Sequence, residues 1–269
     1  MSLILLHLLP ASFYVSLAAF GYFAHGASQE RSRQILAFLL FAALTTHAFA
    51  LASMTFGEGE FRFGLTIALS LTLWLAMLVY SVESLVRPLR ALLIYVAPIA
   101  AIFSALPGLS PGYPHLIDAH NWAFRMHIVV AMLAYSLFTL AVFHALLMAA
   151  AERHLHGAQV RDTDNLPPLL TLEHLLFRLI STAFVFLTLT VLSGVLFSEQ
   201  IFGKPFTFSH KAIFGLAAWT LFAILLLGRN LRGWRGKTAK RWLLAGFACL
   251  VLAYAGTRFV LEYVLHRSV

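Results

Sequence analysis

The chain has 269 residues, 61% of them hydrophobic and 11% charged, with a formal net charge of +8. A soluble domain would carry about twice that charged fraction, so the composition excludes an ordinary soluble enzyme and sets a polytopic membrane protein as the default. The basic residues cluster in short loops between apolar stretches, which is a topology signal and not a nucleic-acid footprint, and the single Cys249 excludes an internal disulfide, a CxxC redox pair and a cysteine-rich metal site.

Eight apolar segments follow one another, each near the ~20 residues that span a bilayer. The first is Leu3 to Phe23; with no basic n-region and no clear cleavage site it reads as a spanning helix and not a removed signal. The second runs from Gln34 to Met54, the third from Gly64 to Glu83 and the fourth from Ala91 to Leu106. A turn-rich loop, PGLSPGYPHLIDAHN, leads to the long fifth segment, Trp122 to Ala151. The longest polar connection follows, broken by two prolines, with Thr171 and Glu173 able to start a short amphipathic helix inside it. The sixth segment is Leu175 to Phe197, the seventh Ala212 to Gly228 and the eighth Trp242 to Leu265.

Alternate loops divide the cations unequally. One set, which includes GRNLRGWRGKTAKR, holds 13 Lys and Arg residues, and the other set holds 6. The asymmetry predicts that the set of 13 is cytoplasmic and that both termini lie on the non-cytoplasmic side. The fold expected is therefore all-α, with eight transmembrane helices. Trp234, in RGWRG, is expected at the membrane interface.

Between the sixth and seventh segments lies IFGKPFTFSHK, with rings at Phe202, Phe206 and Phe208 and a helix-breaking Pro205. Three phenyl faces on a short loop suit a flat apolar ligand; the bland alternative is anchoring in the membrane interface. Histidines inside spans are costly and raise a functional hypothesis. His47, His127 and His144 lie within segments, and His266 ends the eighth. His127 and His144 are 17 residues apart on one segment, ~25 Å of helical rise, too far to share one ligand plane. Neutral imidazole ligates haem iron well. His127 and His266 can supply two ligands at one membrane face, the three phenylalanines a ring-lined slot, and Arg125, Lys211, Arg258 and Arg267 partners for propionates. The competing reading is a hydrogen-bonded packing histidine; it is taken for His47 and His144 on their own, and both readings stand open for His127. His7 is given no role.

These residues bring a family into view. Over nearly its whole length, and most strongly from Pro167 to Gly256, the chain resembles the eight-span cytochrome c assembly proteins of the CcsA and HemX type, nearest to their small inner-membrane YpjD-like members. The family's WWD signature, W-G-x-x-W-x-W-D-P-K, is similar in spacing to Phe202-Gly203-Lys204-Pro205-Phe206-Thr207-Phe208-Ser209-His210-Lys211, with each Trp replaced by Phe, Asp by Ser209 and Pro by His210. The resemblance implies a single transmembrane domain over 1–269 with a degenerate WWD-type loop at 198–211. It implies non-covalent b-type haem on His127 and His266, and matches His47 to a membrane-embedded histidine whose partner is replaced by Leu227, Gly228 and Arg229. The stitching chemistry of the haem synthases needs a further domain, so this chain is expected not to be catalytic alone. The function implied is haem handling for cytochrome c assembly in a bacterial inner membrane. Haem, the lipid bilayer and other membrane maturation proteins are the expected partners, and nucleic acid is not one. The alternative is a cofactor-free structural or regulatory subunit of a partner complex or transporter. A solute transporter ranks last, because the spans show no obvious inverted repeat.

Overall fold

The computed structural model describes residues 3–23, 29–56, 61–86, 90–110, 115–117, 122–156, 168–198 and 208–260. The described residues are almost wholly helical: α1 (Leu3–Phe23), α2 (Gln29–Thr55), α3 (Leu65–Val86), α4 (Arg90–Leu109), α5 (Trp122–His156), α6 (Leu169–Leu196), α7 (His210–Arg232) and α8 (Gly236–Phe259). All eight are long and apolar enough to cross a membrane. Two three-residue strands, β1 (Phe61–Phe63) and β2 (His115–Ile117), pair antiparallel and tie the α2–α3 connection to the α4–α5 connection. The side chain of Phe63 is buried beside Leu51, Ile67, Ala68 and Met132 and so pins β1 to the helices.

Hydrophobic residues cover the outside of the bundle as well as its core. Phe38, Phe41 and Phe49 on α2, and Val185, Leu189 and Leu192 on α6, are all exposed. A surface of that kind is stable against lipid and not against water. Inside, small residues let the helices approach closely: Ala43, Ala76, Ala97, Ala100, Ala134, Ala141, Ala183 and Ala218 have no exposed surface. α1 lies chiefly along α4 and α2, α5 along α6, and α7 along α8, while α3 joins the two halves by packing on α4 and α5. Phe138 of α5 stacks on Phe222 of α7, ring centroids 3.8 Å apart. Gly246 of α8 lies against that ring, where an added Cβ would come within 2.8 Å of it.

The helices run past the apolar segments that announce them. α2 begins at Gln29 and α5 ends at His156. The separate short helix expected at Thr171 and Glu173 is instead the first turn of α6, which starts at Leu169 directly after Pro168. Proline costs no hydrogen bond at a helix start, so the chain turns there and continues unbroken into the span. α8 contains a wider π-helical turn over Leu252–Gly256 before resuming at Thr257–Phe259. Trp234 is half-buried and stacks on Trp242, centroids 5.4 Å apart, in a turn made possible by the positive φ of Gly233 and Gly236.

Candidate functional site

At the end of the bundle that carries the aromatic loop, four helices converge. His127 lies in the first turns of α5, and its Nδ1 is 2.8 Å from Ser193 Oγ on α6. Ser193 Oγ itself donates to the Thr190 carbonyl at 3.1 Å. Its proton is thereby spent, so Nδ1–H of His127 donates and the imidazole lone pair sits on Nε2. Gly194 lies beside the ring, where an added Cβ would make an ordinary contact with Cε1 at 3.5 Å. Lys211, in the first turn of α7, is within electrostatic range of His127, and Arg258 of α8 is within range of Lys211. A histidine with a defined tautomer and two cations from separate helices thus share this end.

The remaining predicted residues divide. Phe208 lies two residues before the start of α7 and is three-quarters exposed. Ser209 caps α7 by accepting from the Ala212 amide at 3.4 Å. Arg125 is exposed on α5; two residues from His127, it points to a different side of the helix. Phe202, Phe206, His266 and Arg267 lie outside the described residues.

His47 is fully buried and both of its ring nitrogens are engaged. Nδ1 is 3.2 Å from the Tyr14 hydroxyl on α1, and Nε2 is 2.8 Å from Ser70 Oγ on α3. Sequence reasoning passed over His7, which shares this half of the bundle. It is fully buried on α1, and its Nδ1–H donates to the Ser104 carbonyl of α4 at 3.0 Å. Gly108 makes the space, because a Cβ there would lie 2.8 Å from His7 Cβ. The signal available was the apolar setting of His7 in the first turns of a span. His144, deep in α5, donates from Nδ1 to the Leu140 carbonyl at 3.1 Å, and its Nε2 faces Glu83 of α3 at 3.3 Å.

At the opposite, basic end, Glu173 of α6 pairs with Arg229 of α7 and lies 3.5 Å from Arg235. The Arg229 guanidinium also sits 4.4 Å over the Phe177 ring. Lys240 of α8 meets Glu152 of α5 at 2.6 Å. Among the described residues no cluster of three or more His, Cys, Asp or Glu side chains is arranged to hold a metal ion.

A sequence model of the family described as cytochrome C assembly protein matches residues 6–265. Inner membrane protein YpjD of Escherichia coli strain K12 is 27% identical over 226 residues, covering 82% of this chain and 84% of that protein. An uncharacterized 28.8 kDa protein of Azospirillum brasilense is 28% identical over 267 residues, 97% of this chain and 96% of that protein. The cytochrome c biogenesis protein CcsA of Chlamydomonas reinhardtii is 28% identical over 142 residues, 53% of this chain and 39% of that protein. No solved structure matches the chain.

Proposed function

We infer that this chain, which belongs to the cytochrome C assembly protein family, serves cytochrome c biogenesis by holding non-covalent b-type haem at the aromatic-loop end of its bundle. The observation that carries the reading is the His127–Ser193 hydrogen bond. It fixes the ring and leaves Nε2 as the lone-pair nitrogen, as a second partner on the far ring nitrogen does for metal-bound histidines. On this reading His127 and His266 would be the residues that hold the haem iron. Lys211 and Arg258 would pair with the propionates, and Phe202, Phe206 and Phe208 would line the ring. The haem bound there supplies the prosthetic group that a cytochrome c receives.

His47 is left out of the ligand set, because Tyr14 and Ser70 occupy both of its nitrogens. No residue is assigned a catalytic role. The whole of 1–269 acts as one transmembrane domain in a bacterial inner membrane, with the basic end in the cytoplasm and both termini on the other side. That orientation is supported by the distribution of Lys and Arg, and the membrane by the name of the Escherichia coli relative.

The test is the absorption spectrum of the full chain purified in detergent after growth with added haem precursor. A Soret band that His127→Ala abolishes supports the reading. Colourless wild-type protein that also fails to bind added haemin sinks it.

A second reading has an observation of its own. Arg229, in the stretch where the family carries a second intramembrane histidine, is committed to Glu173 and Phe177. A scaffold that has replaced a ligand with a structural ion pair suits a cofactor-free subunit of a membrane complex. Purification of a stoichiometric partner together with a haem-free chain would favour it.

A further inference from the structure

The basic end holds a cleft of 440 Å³ between α6 and α7, lined by Phe177, Arg178, Ser181 and Thr182 on one side and by Arg229 and Asn230 on the other. The spacing builds it. On α6 the lining residues fall at 174, 177, 178, 181 and 182, and on α7 at 226, 229 and 230. Each set occupies one face of its helix. Two guanidiniums line the cleft, and no carboxylate does among its described residues.

The two arginines differ. Arg229 is fixed, ion-paired to Glu173 and seated over the Phe177 ring. Arg178 is exposed and has no ion-pair partner among the described residues. Arg235 also approaches Glu173, at 3.5 Å, so one carboxylate faces two cations and the neighbourhood stays positive. Forked guanidinium donors match the oxygens of a phosphate group, and the Ser181 hydroxyl with the Asn230 amide offers further donors.

Position along the span decides which phosphate. Arg178, Thr182, Val185, Leu189 and Leu192 form one exposed stripe along α6, at intervals of four and three residues that keep a single face. The stripe is cationic near the helix start, hydroxylic one turn on, and purely apolar toward the middle. A free phosphate would use only its first part. A membrane lipid would use all of it.

We propose that the cleft between α6 and α7 binds an anionic phospholipid of the leaflet at the basic end, its phosphodiester on Arg178 and Arg229 and an acyl chain along Val185, Leu189 and Leu192. The lipid covers the seam between the two helices that flank the aromatic loop. It thereby couples leaflet charge to the spacing of α6 and α7.

Native mass spectrometry of the full chain in detergent tests this, with phosphatidylglycerol, phosphatidylcholine of the same acyl chains, and inorganic phosphate as probes. Phosphatidylglycerol adducts are expected to survive at activation energies that strip phosphatidylcholine. Arg178→Gln should weaken the phosphatidylglycerol adduct about fivefold, the effect of one surface cation near anionic lipid, and leave phosphatidylcholine unchanged. Lys237→Gln, exposed at the same end but outside the cleft, should change it less than twofold. Equal retention of the two lipids, or an equal loss in both variants, overturns the site. Displacement of the lipid by millimolar inorganic phosphate reassigns the cleft to a soluble anion and overturns the proposal as well. Arg178 is exposed, so its replacement leaves the packing intact; unchanged thermal unfolding of the variant verifies that.

Discussion

Ser193 orients His127 across the α5–α6 seam, hydroxyl to Nδ1 at 2.8 Å, although the two residues are 66 positions apart. Ser193→Ala removes the acceptor without removing the imidazole. The ring is then free to rotate and to exchange tautomers. Haem affinity is expected to fall about ten- to a hundredfold, the usual cost of losing a partner behind a ligating histidine, while thermal unfolding of the haem-free protein changes little. Titration of the purified variant with haemin reads the first, and a melting curve the second. Affinity equal to wild type would remove Ser193 from the site.

His47 predicts the opposite pattern. Its replacement by Ala leaves the Tyr14 and Ser70 hydroxyls buried without their partner and opens a cavity among three helices. The cost expected is about 3 kcal/mol, read as a lower melting temperature in detergent. The Soret band of the protein that remains folded should keep its position and its intensity per mole. Loss of colour without loss of stability would instead make His47 a ligand.

The Glu173–Arg229 pair clips α6 to α7, with side chains 13% and 23% exposed. Removing one member strands the other. A fully buried pair would lose several kcal/mol, and partial exposure reduces this to about 1–3 kcal/mol. Glu173→Gln and Arg229→Gln should each lower the melting temperature. The double variant Glu173→Met with Arg229→Met should recover most of the loss, because an apolar pair needs no desolvation. Single variants that melt like wild type would show the pair to be a surface ornament.

Gly246→Ala places a methyl against the Phe222 ring, which is already stacked on Phe138. Either the ring leaves its stack or α8 moves outward. The expected cost is about 1–3 kcal/mol. Adding Phe222→Leu, which vacates the space, should return part of it. Thermal unfolding followed by tryptophan fluorescence compares the three proteins, and a Gly246→Ala variant as stable as wild type would show that α8 shifts freely.

The eight helices were legible because each is a long apolar run, and a run of that length has one outcome in a bilayer. Their ends were not. α2 starts at Gln29 and α6 at Leu169, where backbone hydrogen bonding carries the helix beyond the hydrocarbon and hydropathy no longer reports it. β1 and β2 have three residues each, too few for an alternation to stand out. His127 could be named from its setting in a span, but Ser193 could not. Nothing in a sequence joins two positions on different helices until the helices are packed. His7 was missed for the same reason, its acceptor being a backbone carbonyl 97 residues away. Arg229 was visible as a cation at the end of the seventh segment, and only the fold supplies its partner Glu173.

The wide turn at Leu252–Gly256 is equivalent to one surplus residue spliced into α8. Residues beyond it are advanced by roughly 100° about the axis relative to an uninterrupted helix. Leu243 and Leu250 ahead of the splice therefore face the interior on one phase, and Arg258 after it follows another. Excising a single residue there would reset that phase. The guanidinium would be carried around the cylinder, and the last span would offer its neighbours a different azimuth with every downstream side chain still chemically intact.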